Sequence, residues 1–240
     1  MNDAQYKIIV DAARERGAKF PRDDDWLRFK AAIDAAVNDN ASVIVVPAPT
    51  FGAPTVDLAK FFATMRESRA LGPTLSEGEV AGCEAIIEAC AGWPVAWTAY
   101  ALATAYHETA GTMQPIREYG RGKGRKYGRP AKYPPQVPYG RGYVQLTWDY
   151  NYEKADKELG LGGKLLADFD LALDHAIAAK IMTRGMQEGW FTGRNLAKTL
   201  PSVGPATLAQ FIASRPIING TDKAEQIARH ALEFQKGLMA

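Results

Sequence analysis

Glu108 and Glu118, ten positions apart, are the side chains in this sequence best suited to moving protons. Glu108 lies in Tyr106-His107-Glu108-Thr109-Ala110-Gly111, just beyond a run, 95–107, that is apolar on nearly every side. A carboxyl there is drawn out of water. Desolvation disfavours its charged form, which suits a proton donor at neutral pH. A frayed helix end in solvent is the plain alternative. Glu118 is the single acid between Arg117 and Arg141, a stretch with eight basic residues. Opposite charge nearby favours the carboxylate. A neutral acid and an ionised base, kept apart by environment, are the pair that glycoside hydrolysis uses. A salt bridge from Glu118 to Arg117 or Arg121 is the competing account, and spacing does not choose between them.

His107-Glu108 also opens the zinc-protease pattern, which needs a second histidine three residues after the glutamate. That position is Gly111, and His175 and His230 stand alone on helical stretches. No metal is expected. The run Tyr139-Gly140-Arg141-Gly142-Tyr143-Val144-Gln145-Leu146-Thr147-Trp148-Asp149-Tyr150-Asn151-Tyr152 has a different character. Its glycines allow close backbone approach, and Thr147 suits a helix N-cap. Gln145, Thr147 and Asn151 offer neutral hydrogen bonds, while Tyr143, Trp148 and Tyr152 offer flat faces. Amides beside rings suit a sugar, which has hydroxyls at its rim and C–H groups on its faces. A core strand leading into a capped, aromatic-packed helix is the competing reading.

The elements that must position these groups are mainly helical. Apolar spacing predicts helices at 4–16 and 24–38, a short β-like run at 42–46, and a stiff connector through Pro47, Pro49 and Pro54. Beyond it, helices are expected at 56–68, 76–91 (opened by a Ser76–Glu79 capping box), 95–107, 148–159, 171–187, 205–213 and 222–237. Segment 117–141 holds five glycines and four prolines and is no helix. It reads as a long loop or a pair of short strands.

The 240 residues are 47% hydrophobic and 23% charged, with net charge +2, which excludes disordered, collagen-like and membrane-spanning classes. Segment 117–141 alone carries +7, leaving −5 for the remainder. Cys83 and Cys90, two helical turns and about 10 Å apart, are too distant to pair within one helix and read as buried hydrophobes. The opening residues lack the apolar run of a secretory peptide, so synthesis in a cytoplasm without an export signal is expected.

His107-Glu108-Thr109, Glu118, then Gly140-Arg141-Gly142-x-x-Gln145-Leu146-Thr147-Trp148-x-x-Asn151-Tyr152, then Ile217-Ile218-Asn219-Gly220, in that order, resemble glycoside hydrolase family 19. That family holds chitinases and phage endolysins. The resemblance covers roughly 57–240. It implies a mainly α (α+β), lysozyme-like, two-lobed helical domain with a small β region, preceded here by a short helical N-terminal extension. It implies Glu108 as general acid, Glu118 as general base and Thr147 as a holder of the attacking water. It assigns Gln145, Asn151 and Asn219 to sugar or water; His107, Tyr143, Trp148 and Tyr152 join them as candidate substrate contacts. Inversion at the anomeric carbon and no metal or cofactor follow from the same resemblance.

The resulting expectation is an endolysin-type enzyme cutting β-1,4 links of peptidoglycan, reaching the wall after holin-type release. Chitin is the rival substrate. A catalytically inactive glycan-binding protein is a further alternative, and so is a nucleic-acid-binding one through Arg121–Pro130. The nucleic-acid reading is weakened by Tyr127, which stands where an Arg-Gly-Arg-Pro hook needs its first arginine, and by the acidic remainder. A monomer bound to peptidoglycan strands, with no nucleic acid and no stable membrane insertion, is expected. Residues 1–56 suit either a cell-wall-binding module or a packed extension.

Overall fold

The structure, a computed structural model, describes residues 56–72 and 74–240. The helices expected at 4–16 and 24–38, the β-like run at 42–46 and the proline-rich connector lie outside those residues.

Helix α1 (Leu58–Ser68) starts where the Asp57 carboxylate accepts the Lys60 N–H at 3.1 Å, and it turns Phe61, Phe62 and Met65 inward. Helix α2 (Glu77–Ala89) opens with the capping box its sequence predicts. The Ser76 hydroxyl accepts the Glu79 N–H at 3.2 Å, and the Glu79 carboxylate accepts the Ser76 N–H at 2.8 Å. Gly82 of α2 faces the Met113 carbonyl, where an added Cβ would sit 1.9 Å from the oxygen. Only glycine permits that approach.

Helix α3 (Val95–Glu108) buries Ala96 and every residue from Thr98 to Ala105. Five of these are alanines, so neighbouring helices come close on all sides. It packs against α2 and against α8 (Ala224–Leu238), whose Ile227, Ala231, Phe234 and Leu238 follow helical spacing. The rings of Phe61 and Phe234 stack with centroids 6.3 Å apart, tying α1 to the same core. α7 (Leu208–Ser214) completes this side with its own capping box, Thr207 and Gln210.

A second core gathers Leu146, Tyr152, Ala155, Leu165, Phe169, Ala172 and Ile181. It is built by α4 (Asp149–Glu158), the short α5 (Lys164–Ala167) and a 3₁₀ turn at Phe169–Leu173. Helix α6 (His175–Glu188) serves both cores. Ala178, Ala179, Met182 and Met186 face the first, and Ile181 faces the second. The small β region is a hairpin of β1 (Ile116–Arg117) and β2 (Arg141–Gly142), antiparallel, with Ile116 opposite Gly142 and Arg117 opposite Arg141. The mainly helical, two-cored architecture matches the expected fold class.

Segment 117–141 is thus a long loop closed by two short strands at its ends. Boundaries differ from expectation by a few residues at several helices; α7, expected from 205, begins at Leu208 after its Thr207 cap. α6 begins at His175, because Asp174 caps it (its carboxylate accepts the Ile177 N–H at 3.0 Å) and Phe169–Leu173 winds as 3₁₀ instead. Thr147 is not the N-cap of α4. Trp148 holds that position at φ 73° with no side-chain cap. Cys83 and Cys90 are free and buried, and burial pushes both thiols up. Among the described residues no helix is long and apolar enough to cross a membrane.

Candidate active site

Helix α3 delivers Glu108 as its last residue, and Thr109 locks the turn beyond it. The Thr109 hydroxyl donates to the Ala105 carbonyl at 2.8 Å and accepts the Met113 N–H at 3.0 Å. The Gly111 N–H returns to the Tyr106 carbonyl at 2.8 Å, with Gly111 at φ 84°. The helix therefore ends in a rigid turn, and the Glu108 backbone has little freedom.

The surroundings of the Glu108 carboxyl correct the sequence expectation. Oε1 accepts from Arg215 Nη1 at 2.8 Å, and the Arg215 side chain is only 3% exposed. A buried guanidinium needs a counter-charge, and Glu108 is that partner. So the carboxyl is not simply dry; it is half of an ion pair. Arg215 is itself aimed by a bond from Nε to the Asp222 carbonyl at 3.0 Å. Glu108 Oε2 has no protein hydrogen bond among the described residues.

Glu118 shows the converse. No cation lies within ion-pair distance of it among the described residues, because Arg117 has turned to Asp170 at 2.8 Å. Its partners are neutral donors. Tyr127 donates its hydroxyl to Oε1 at 3.2 Å, and the Gly140 N–H donates to Oε2 at 3.2 Å. The Glu118 N–H in turn reaches the Gly140 carbonyl at 2.7 Å, continuing the hairpin by one residue. Gly140 is closely packed there: a Cβ would meet Gln145 Oε1 at 2.8 Å, and the Gln145 side chain would have to shift. Partial burial and the adjacent Glu118 carboxylate both push the Tyr127 hydroxyl up, so it stays a donor at neutral pH.

Tyr127 also sets its ring edge-on to Trp148 at 5.3 Å, and Trp148 stacks against the exposed Tyr150 at 6.2 Å. Trp148 is half-buried and remains a candidate flat face. Tyr143 and Tyr152 do not. Both are fully buried. Tyr143 shares a hydrogen bond with His175 Nδ1 at 2.8 Å, and Tyr152 stacks on Phe169 at 4.0 Å while donating to the Tyr139 carbonyl at 2.8 Å. Neither ring can lie on a sugar. They are core residues that the motif brings along.

The remaining candidates divide by what their polar atoms do. Gln145, at φ 55°, donates its amide to the carbonyls of Ile116 and Gly142 at 3.3 Å each, bracing the hairpin. Asn151 donates to the Thr147 carbonyl at 2.7 Å. Thr147 donates its hydroxyl to the Gln145 carbonyl at 3.3 Å, which leaves its lone pairs open to a water. His107 is half-buried beside Glu108. Asn219 is exposed, just past the 3₁₀ turn Arg215–Ile217 that carries the partner of Glu108. Arg215 and Tyr127 are the two residues that sequence reasoning misses. Arg215 sits two positions before the Ile217-Ile218-Asn219-Gly220 motif, and that proximity is the available signal.

No family model matches the chain. Endochitinase A of Zea mays is 35% identical over 95 residues, 39% of this chain and 31% of the maize protein, so the match spans about a third of that relative. Among solved structures, chitinase C of Streptomyces griseus aligns with a TM-score of 0.53 and 21% identity, over 79% of this chain and 78% of its own. A bacterial family 19 chitinase aligns at 0.45 and 24%, over 77% and 95%. The chain has the mainly helical, lysozyme-like fold of chitinase C, and its sequence resembles glycoside hydrolase family 19.

Proposed function

We propose that the protein hydrolyses β-1,4 links in polymers of N-acetylated amino sugars by single displacement, with chitin-type strands as the first substrate. The observation that carries this reading is a pair of carboxyl groups in unlike settings. Glu108 is gripped through one oxygen by Arg215, with the other oxygen open, and Glu118 is held by two neutral donors. The fold shared with chitinase C and the maize endochitinase match support it.

On this reading Glu108 carries a proton on Oε2 in the substrate complex while Oε1 keeps its bond from Arg215; it gives that proton to the leaving glycosidic oxygen, and the carboxylate that forms is left paired with the guanidinium. Glu118 takes a proton from a water that Thr147 helps to hold, and the water oxygen bonds to the anomeric carbon as the glycosidic bond breaks. The anomeric configuration inverts, and carboxyl groups about 6.5–9.5 Å apart leave room for that water. Trp148, Asn151 and Asn219 are the sugar contacts on this reading, with His107 beside the acid.

Glu108→Gln is expected to lower kcat on chitin oligosaccharides by about 10³-fold and, because it leaves the buried Arg215 without its counter-charge, to lower the melting temperature as well, while Glu118→Gln lowers kcat by about 10²-fold. NMR of the first-formed anomer reads the stereochemistry. Wild-type turnover by a folded Glu108→Gln protein, or a retained configuration, refutes the assignment.

The cell-wall reading, an endolysin-type muramidase released through a holin lesion, uses the same residues and is favoured by the +7 of segment 117–141. Parallel digestion of colloidal chitin and purified peptidoglycan, with mass spectrometry of the new ends, distinguishes the two.

A further inference from the structure

The eight cations of segment 117–141 fall into two groups. Arg117 and Arg141 share Asp170 at 2.8 and 2.7 Å, and Lys132 pairs with Glu153 at 2.5 Å. Arg121, Lys123, Arg125, Lys126 and Arg129 are all exposed, and among the described residues none has a carboxylate within 4.0 Å. Five like charges within nine residues repel one another, so something other than charge holds them together.

The backbone does so. The Lys123 N–H donates to the Gly120 carbonyl at 2.8 Å, Arg125 to Gly122 at 2.8 Å, and Gly128 to Arg125 at 3.0 Å. Gly122 and Gly128 press backbone to backbone, such that a Cβ on Gly128 would lie 1.7 Å from the Gly122 oxygen. The loop therefore has a pinched waist that admits only glycine. Tyr127 turns from the same loop onto Glu118 and Trp148. One side of the loop thus touches the candidate base, and the other presents unpartnered cations on a fixed frame.

We propose that loop 121–129 binds carboxylates borne by the glycan strand in the site, so that an amino-sugar strand carrying carboxylates binds more tightly than a neutral strand of the same backbone. The inference rests on the glycosidase reading of Glu108 and Glu118. Single exposed ion pairs are weak, but several of them along a polymer add up, and a pre-formed loop loses little freedom on binding. Duplex nucleic acid is the other polyanion that fits such charges. It is disfavoured because the rest of the chain is net acidic and the loop is docked against a carboxylate and two rings.

The test compares wild type with the triple variant Lys123→Gln/Arg125→Gln/Lys126→Gln on soluble carboxymethyl chitin, which is anionic, and glycol chitin, which is neutral. At about 0.02 M salt the variant's KM for carboxymethyl chitin should rise about tenfold with kcat unchanged, and the difference should vanish at about 0.5 M salt. Glycol chitin kinetics should be alike for both proteins at both salts. Equal loss on the two polymers, no loss on either, or tighter binding of duplex DNA than of carboxymethyl chitin at matched salt overturns the proposal. If wild type cuts neither polymer, the glycosidase reading fails separately. Retardation in native gels cast with carboxymethyl chitin, relative to polymer-free gels, then reads the loop alone. Retardation of wild type but not of the variant supports the proposal, and equal mobility of the two overturns it.

Discussion

Tyr127 tests the arrangement around Glu118 with the smallest change. Tyr127→Phe removes one donor from the carboxylate and keeps the ring against Trp148. A hydrogen bond of this kind is worth about 1 kcal/mol, so kcat on a neutral oligosaccharide should fall roughly fivefold with KM unchanged. Tyr127→Ala also removes the ring and should raise KM as well. Identical kinetics for Tyr127→Phe and wild type would show that the hydroxyl does not position the base. At this scale the sequence reveals residue types better than partners. Glu108 and Glu118 can be singled out because each carboxyl contrasts with its neighbours in the chain. Local reading assigns their environments the wrong way round, because the guanidinium that grips Glu108 comes from Arg215, 107 positions later. Nothing in local spacing reports such a contact. Tyr143 and Tyr152 mislead for a related reason. An aromatic among amides looks the same in sequence whether it faces a ligand or a core.

Asp170 carries the hairpin. It takes Arg117 at 2.8 Å and Arg141 at 2.7 Å, so one carboxylate ties both strands to the 3₁₀ turn after α5. Arg141 is buried, stacked at 3.7 Å over Tyr139, and bonded to the carbonyls of Val137 and Tyr139. Asp170→Asn leaves that guanidinium without a counter-charge. The cost should be on the order of 2–3 kcal/mol, below the value for a wholly buried pair because Asp170 itself is half exposed. The hydrogen bond from Arg117 is the first cause that holds the Asp170 carboxyl below the usual carboxylate range, with Arg141 adding to it. A lowered folded pKa contributes stability at neutral pH that is lost as pH falls through it. The melting-temperature gap between wild type and Asp170→Asn should therefore be full at pH 7 and close below about pH 4. A gap independent of pH would mean that the ion pairs do not stabilise the hairpin. The long helices are legible from caps and periodicity, Ser76 with Glu79 above all. The start of α6 is not, because Phe169–Leu173 carries apolar residues at nearly helical spacing while Asp174 restarts the helix at His175. The four-residue α5 is too short to show a period at all.

The whole molecule separates chemistry from delivery. The proposed acid and base, Glu108 and Glu118, sit on rigid supports, the end of a central helix and the foot of a hairpin, and cations with no carboxylate partner among the described residues sit on a loop between the hairpin strands. On an insoluble polymer each encounter with a strand ends by diffusion unless a contact outside the cleft holds the protein in place. Residues 1–56 are the part of the chain not absorbed by the resemblance to family 19. If they hold the protein on the proposed polymer, their gain is one of effective concentration and not of turnover. Deleting residues 1–56 should then leave kcat and KM on soluble oligosaccharides within about twofold, and lower co-sedimentation with insoluble chitin or sacculi by roughly 10²-fold or more, the lower end of what linked binding adds. The full chain and the shortened one should be compared at equal melting temperature, so that a folding defect is not read as lost attachment. Loss of soluble-substrate activity along with sedimentation would instead mark residues 1–56 as part of the catalytic fold. Unchanged sedimentation would assign attachment to the basic loop, whose contribution disappears at high salt, whereas an uncharged binding surface would persist there.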